Sequence, residues 1–161
     1  MQKELLKQLQ TWAQAGDGDC AYKLATIYRT DGDFKNYVEW LEKSAATKNF
    51  DAMKEYAEYL REGADYEKAL AIYKELAETF CDEESMENIV DMYERSQCDK
   101  DTLIFVLKLI DKCFNEIYQM NNFARVFVFQ TYRYNECTWE YLQAVERRRI
   151  AARIRKILAE N

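Results

Sequence analysis

Apolar residues recur at Ala21, Leu24, Ala25 and Tyr28, a spacing of three, four and seven that gathers them on one face of a helix. The polar run "TDGD" breaks that pattern, and Phe34, Tyr37, Val38, Leu41 and Ala45 start it again. Two amphipathic helices and two short turns thus make a unit of about 31 residues. The unit repeats. Ala52, Tyr56 and Tyr59 match Ala21, Ala25 and Tyr28 at an offset of 31, and Gly63 in "REGAD" matches Gly32. Tyr66, Ala69, Leu70, Tyr73 and Ala77 follow the second helix at an offset of 32, with the extra residue assigned to the turn. A third copy fits at an offset of 34. Met86, Val90 and Tyr93 match Ala52, Tyr56 and Tyr59, and Ile104, Leu107 and Phe114 match Leu70, Tyr73 and Phe80.

The spacing predicts small Ala21 and Ala52 where paired helices approach, and Tyr28 and Tyr59 filling the space between units. The second helix of the third copy, "TLIFVLKLI", is apolar nearly all round, which predicts burial on several sides. In the tail, "RVFVFQ" alternates as a strand would, but no second strand candidate exists to pair with it. Phe123, Phe127, Gln130 and Tyr134 read as a helix instead, and Thr138 reads as the N-cap of a last helix from Trp139 to about Glu160. Leu5, Leu6, Leu9, Trp12 and Ala13 mark a half-unit at the N-terminus. The expectation is a single all-α domain of about nine helices. It divides at 1–18, 19–49, 50–81, 82–117 and 118–161, and stacks as antiparallel pairs in a short right-handed solenoid.

Composition agrees with this picture. The 161 residues are 48% hydrophobic and 14% aromatic, with no proline and four glycines, so a core is available and helix breakers are few. The formal net charge is −6, unevenly spread. Residues 141–161 hold six basic and two acidic side chains, leaving the rest at −10 and ill suited to binding phosphate broadly. The five cysteines (Cys20, Cys81, Cys98, Cys113 and Cys137) are odd in number and lack C-x-x-C spacing. They read as reduced thiols in a cytoplasmic protein. The first residues have no apolar signal region. The stretch "LIFVLKLI" is too short to cross a bilayer and contains Lys108.

Candidate chemistry is sparse. The chain has no histidine, which removes the commonest general base and metal ligand. "GDGD" at 16–19 lacks the length of a phosphate loop and places Asp19 as an N-cap. "DGDF" at 31–34 lacks a calcium loop's ligand order, and "CDEES" at 81–85 reads as a solvated helix start. No enzyme activity, cofactor or metal is expected.

The segments "QAGDGDCAYKLATIYRTDGDFKNYVEWLEKSA" and "KNFDAMKEYAEYLREGADYEKALAIYKELA" resemble tetratricopeptide-type repeats, closest to their Sel-one-like branch. The resemblance covers roughly residues 12–80 well and 81–116 weakly. Glu55 stands where that family prefers leucine, and the proline that often ends its units is absent. The resemblance implies a concave groove for a peptide or partner helix, lined by the first helix of each unit. Carried over position by position, the groove set is Tyr22, Thr26 and Arg29, then Met53, Ala57 and Leu60, then Glu87, Asp91 and Glu94. Such a groove grades from basic through apolar to acidic.

The last helix adds one sharp charge feature. Trp139, Leu142, Ile150, Ile154 and Ile157 form a docking stripe, while Arg147, Arg148, Arg149, Arg153 and Arg155 are spread around it. They fit a cap whose cations pair with the acidic body, or a handle for RNA, an acidic protein or a membrane surface. The expected function is a non-catalytic adaptor or scaffold that binds a protein or peptide, as a monomer or weak homo-oligomer. The alternatives are a small acidic inhibitor or immunity-type protein, a nucleic-acid accessory protein and, last, a thiol enzyme.

Overall fold

A computed structural model describes the backbone of residues 2–113 and 136–160 and the side chains of 4–113 and 145–160. The described residues form eight helices, against about nine expected. They are α1 (Gln2–Gln14), α2 (Gly18–Thr30), α3 (Phe34–Ala46), α4 (Phe50–Glu62), α5 (Tyr66–Phe80), α6 (Glu83–Glu94), α7 (residues 100–113) and α8 (Glu136–Glu160). The expected helix through Phe123 and Tyr134, the pairing of Phe114 with Phe80, and the docking contacts of Trp139 and Leu142 lie outside the described residues. The last helix begins at Glu136, so Thr138 lies inside it and does not cap it.

A turn that recurs about every sixteen residues sets the cadence of the chain. Among the described residues six adopt the left-handed conformation: Gly16, Gly32, Lys48, Ala64, Cys81 and Ser96. Each ends one helix. In the second and fourth turns the N–H of Gly32 and of Ala64 returns to the carbonyl of Arg29 and of Arg61 (3.2 and 3.1 Å). There the next residue's N–H returns to Tyr28 and Leu60 (both 2.9 Å). These bonds satisfy carbonyls that a helix end leaves unpaired. An N-cap then opens the next helix. Asp17 accepts from Cys20 N, Asp33 from Asn36 N, Asn49 from Ala52 N, Asp82 from Ser85 N and Asp99 from Thr102 N. The cap of α2 is therefore Asp17, two residues ahead of the expected Asp19.

These fixed points correct the repeat. From Asp17 to Asn49, from Gly32 to Ala64 and from Phe34 to Tyr66 the offset is 32 throughout. The offset of 31 for the first helices came from pairing Ala21 with Ala52 and Tyr28 with Tyr59. In the structure Ala21 is equivalent to Met53, Cys20 to Ala52, and Tyr28 to Leu60. Tyr59 does not fill an interior gap: it is 44% exposed and stacks on Tyr56 with centroids 6.3 Å apart. Gly63 is the C-cap at φ −76°, and Ala64 after it takes the left-handed place of Gly32.

The chain groups into two compact units, Met1–Ile72 and Tyr73–Asn161. In the first, α1 packs on α2, α2 on α3 and α3 on α4, in sequence order. Leu9, Ala21, Leu24, Ala25, Leu41, Ala52 and Ala57 make its core. The hydroxyl of Ser44 donates to the carbonyl of Gly18 (2.7 Å), tying the end of α3 to the start of α2, where a Cβ on Gly18 would collide with Thr47. In the second unit, α6 packs on α8. Met86, Ile89, Val90, Leu103, Val106, Ile110, Ile150 and Ile154 are buried there. The apolar α7 buries Leu103, Val106, Leu109, Ile110 and Cys113 and half-buries Ile104, Phe105 and Leu107, so only Lys108 and the charged ends face water.

Candidate functional site

The flanks of α2, α4, α6 and α8 carry the charged chemistry. On α2, Tyr22, Thr26 and Arg29 share one flank, which faces α4. Arg29 pairs with Glu55 of α4 and lies 5.9 Å over the ring of Tyr37. The Tyr37 hydroxyl donates to the same Glu55 oxygen (3.1 Å). Burial, then the Glu55 charge, pushes Tyr37 up to about 12 and raises Tyr22 in the same direction. Both tyrosines therefore stay protonated donors near neutrality. At the helix starts, Asn49 Nδ2 donates to Asp19 (2.7 Å), so α2 and α4 run in the same direction.

The second group of expected groove residues is not on a surface. Met53, Ala57 and Leu60 are all buried in α4. The reason is the one-residue slip in the repeat. With an offset of 32, Tyr22, Thr26 and Arg29 become Lys54, Glu58 and Arg61, of which Glu58 is exposed and the others half-buried. The outward face of α4 is a row of carboxylates, Asp51, Glu55, Glu58 and Glu62, at helical spacing. Asp51, Glu58 and Glu62 are exposed, while Glu55 is turned toward Arg29 and Tyr37. Arg61 reaches Glu58 at 3.2 Å along the same helix.

The third group is occupied by the arginines of α8. Arg149 pairs with Glu87 (2.7 Å), and Arg153 pairs with Asp91 (2.7 Å) and Glu94 (2.6 Å). Deeper in, Arg147 is 3% exposed and pairs with Glu83 (2.6 Å). The partners ascend together along both helices, so α8 runs parallel to α6. Hydrogen bonds to Glu94 and then Asp91 hold Arg153 above its ordinary value against the opposing effect of burial. On the far flank, Arg155 stands 3.7 Å from Asp111 of α7. With Arg148, Ile110 and Ala151, these two line a cleft of about 280 Å³. Arg147, Arg149, Arg153 and Arg155 each pair with a carboxylate of the same unit.

Among the described residues no group of three or more Cys, Asp and Glu is placed to hold a metal ion, and no helix is long and apolar enough to cross a membrane. Cys20, Cys81 and Cys98 are free thiols. Burial pushes Cys98 up to about 11 and raises Cys20, which keeps both as thiols and poor nucleophiles at neutral pH. No family model, curated protein or solved structure matches this chain.

Tyr37 and Glu55 are absent from the expected groove set, although Tyr37 lies in the apolar stripe of its helix. Their signal was present in Glu55, a carboxylate where the repeat pattern prefers leucine. A carboxylate at that position is explained by Arg29, Tyr37 and Tyr22 converging on it.

Proposed function

We propose that the protein is a non-catalytic protein-binding module that takes a basic peptide or helix on the outward face of α4. The observation that carries this reading is the solvent-facing carboxylate row Asp51, Glu58 and Glu62, held on a packed helical scaffold. A row at helical spacing offers oriented charge without rearrangement of the fold, which favours selective and fast encounter with a cationic partner. The helix α8 supplies an internal example, since its arginines lie along an acidic row on α6. A tetratricopeptide-like ancestry and a cytoplasmic site of action belong to the same proposal.

Arg29 and Asp91 are poor test positions, because each is already bonded within its unit. Glu58 and Glu62 are better, because both are exposed and the bond of Glu58 to Arg61 stays within α4 and ties no two helices together. The experiment is capture of partners from native lysate under nuclease treatment, with wild type beside Glu58→Lys/Glu62→Lys. The expected result is one protein at fixed stoichiometry, resistant to nuclease and missing from the variant. If that partner is an enzyme silenced by the complex, the module is an inhibitor and not an adaptor. Recovery of RNA, or partners that vanish with nuclease, would move the function to the arginines of α8.

A further inference from the structure

The first unit starts with an uncovered apolar flank. Leu5 (55% exposed) and Trp12 (52% exposed) stand seven residues apart on α1, beside buried Leu9. The helices α1 and α3 are equivalent at an offset of 32: both span 13 residues, and left-handed Gly16 and Lys48 follow them. In that register Leu5 corresponds to Tyr37 and Trp12 to Ser44. Both counterparts are buried. Tyr37 lies under Arg29 of α2, and Ser44 is bonded to Gly18 of α2. The flank that α2 covers on α3 therefore has no helix over it on α1 among the described residues.

We propose that a second copy of this chain covers it, with the two α1 helices packed antiparallel about a two-fold axis. On α3 the corresponding flank is covered by an antiparallel helix, the end of α3 meeting the start of α2. The flank is also self-complementary. Leu5 and Trp12 lie on either side of the middle of α1, so a two-fold axis there sets each Leu5 on the other copy's Trp12. Charge permits the approach. Lys3, Glu4 and Lys7 give α1 a net charge of +1 in a chain of −6, and the neighbouring Gln8 and Thr11 are neutral. The two Glu4 side chains fall roughly 13 Å apart along the axes, beyond strong repulsion in salt. One 13-residue helix per copy makes a contact smaller than stable interfaces need, so the dimer is weak. Half-dissociation is expected on the order of 10⁻⁴ M.

Sedimentation equilibrium of the full chain, from about 10 μM to about 1 mM, spans that range. The expected result is a mass that rises with concentration and levels off at two copies. Leu5→Asp and Trp12→Glu, each at an exposed position, should keep the helical circular dichroism and shift half-dissociation at least tenfold upward. A monomer throughout the range overturns the proposal, as does a dimer that both variants retain. Growth beyond two copies also overturns it, because an isologous contact closes and a head-to-tail contact does not.

Discussion

At the scale of single residues, the left-handed turn positions hold the clearest stored strain. Ala64 sits at φ +63° in an exposed turn, where an L side chain costs about 1–2 kcal/mol against glycine. Glycine loosens the unfolded chain, which offsets about 0.4–1 kcal/mol of the gain. Ala64→Gly should therefore stabilise the protein by about 0.5–1 kcal/mol, read as a higher midpoint in urea. Gly32→Ala should lower the midpoint by a similar amount, for backbone reasons alone, because nothing lies within 4 Å of the added Cβ. The caps predict a pH dependence. The Cys20 N–H lowers Asp17, the side chains and then the N–H groups of Asn36 and Thr102 lower Asp33 and Asp99, and the Lys68 ammonium lowers Asp65, all below the ordinary 3.8. A lowered carboxylate stabilises the fold fully above its unfolded value and loses that contribution as pH falls through the folded one. The urea midpoint should hold down to about pH 5 and fall on acidification through 3.8 and below.

At the scale of elements, α8 is held to α6 by ion pairs of unequal depth, and depth decides what each is worth. Arg147 is almost wholly buried against Glu83, whereas the Arg149 side chain is 60% exposed beside Glu87. Removing one partner of a buried pair strands the other, so Arg147→Ala should cost about 3 kcal/mol. Arg149→Ala should cost no more than about 1 kcal/mol, and that difference should shrink in high salt. Chemical unfolding of both variants at two salt concentrations checks this. The helices themselves were legible, because one apolar face per helix must be buried and its spacing is fixed by 3.6 residues per turn. Their register was not. Apolar matches such as Ala21 with Ala52 tolerate a slip of one residue, since neighbouring Ala52 and Met53 are both buried. The better ruler was polar: Asp17, Asp33, Asn49 and Asp65 stand sixteen apart, each just after a left-handed residue.

At the scale of the whole molecule, that slip decided which side chains were assigned to a partner. It named Met53, Ala57 and Leu60, which the core uses, in place of Lys54, Glu58 and Arg61. The pairing of Arg149 and Arg153 with Glu87, Asp91 and Glu94 was legible as charge, though not as contact. Opposite charges some sixty residues apart along the chain do not announce that two helices will lie side by side. The exposed Asp51, Glu58 and Glu62 on α4 are acidic, and the exposed Leu5 and Trp12 on α1 are apolar. The account therefore assigns them different work, partner binding to the first and self-association to the second. Abolishing one should leave the other intact.

The most direct test of the binding assignment is titration calorimetry with the purified captured partner, comparing wild type with Glu58→Lys/Glu62→Lys at low and moderate salt. The account predicts an affinity at least tenfold weaker in the variant, a wild-type affinity that falls with salt, and an unchanged Tm. Equal affinities for the two proteins, with both folded, would contradict it.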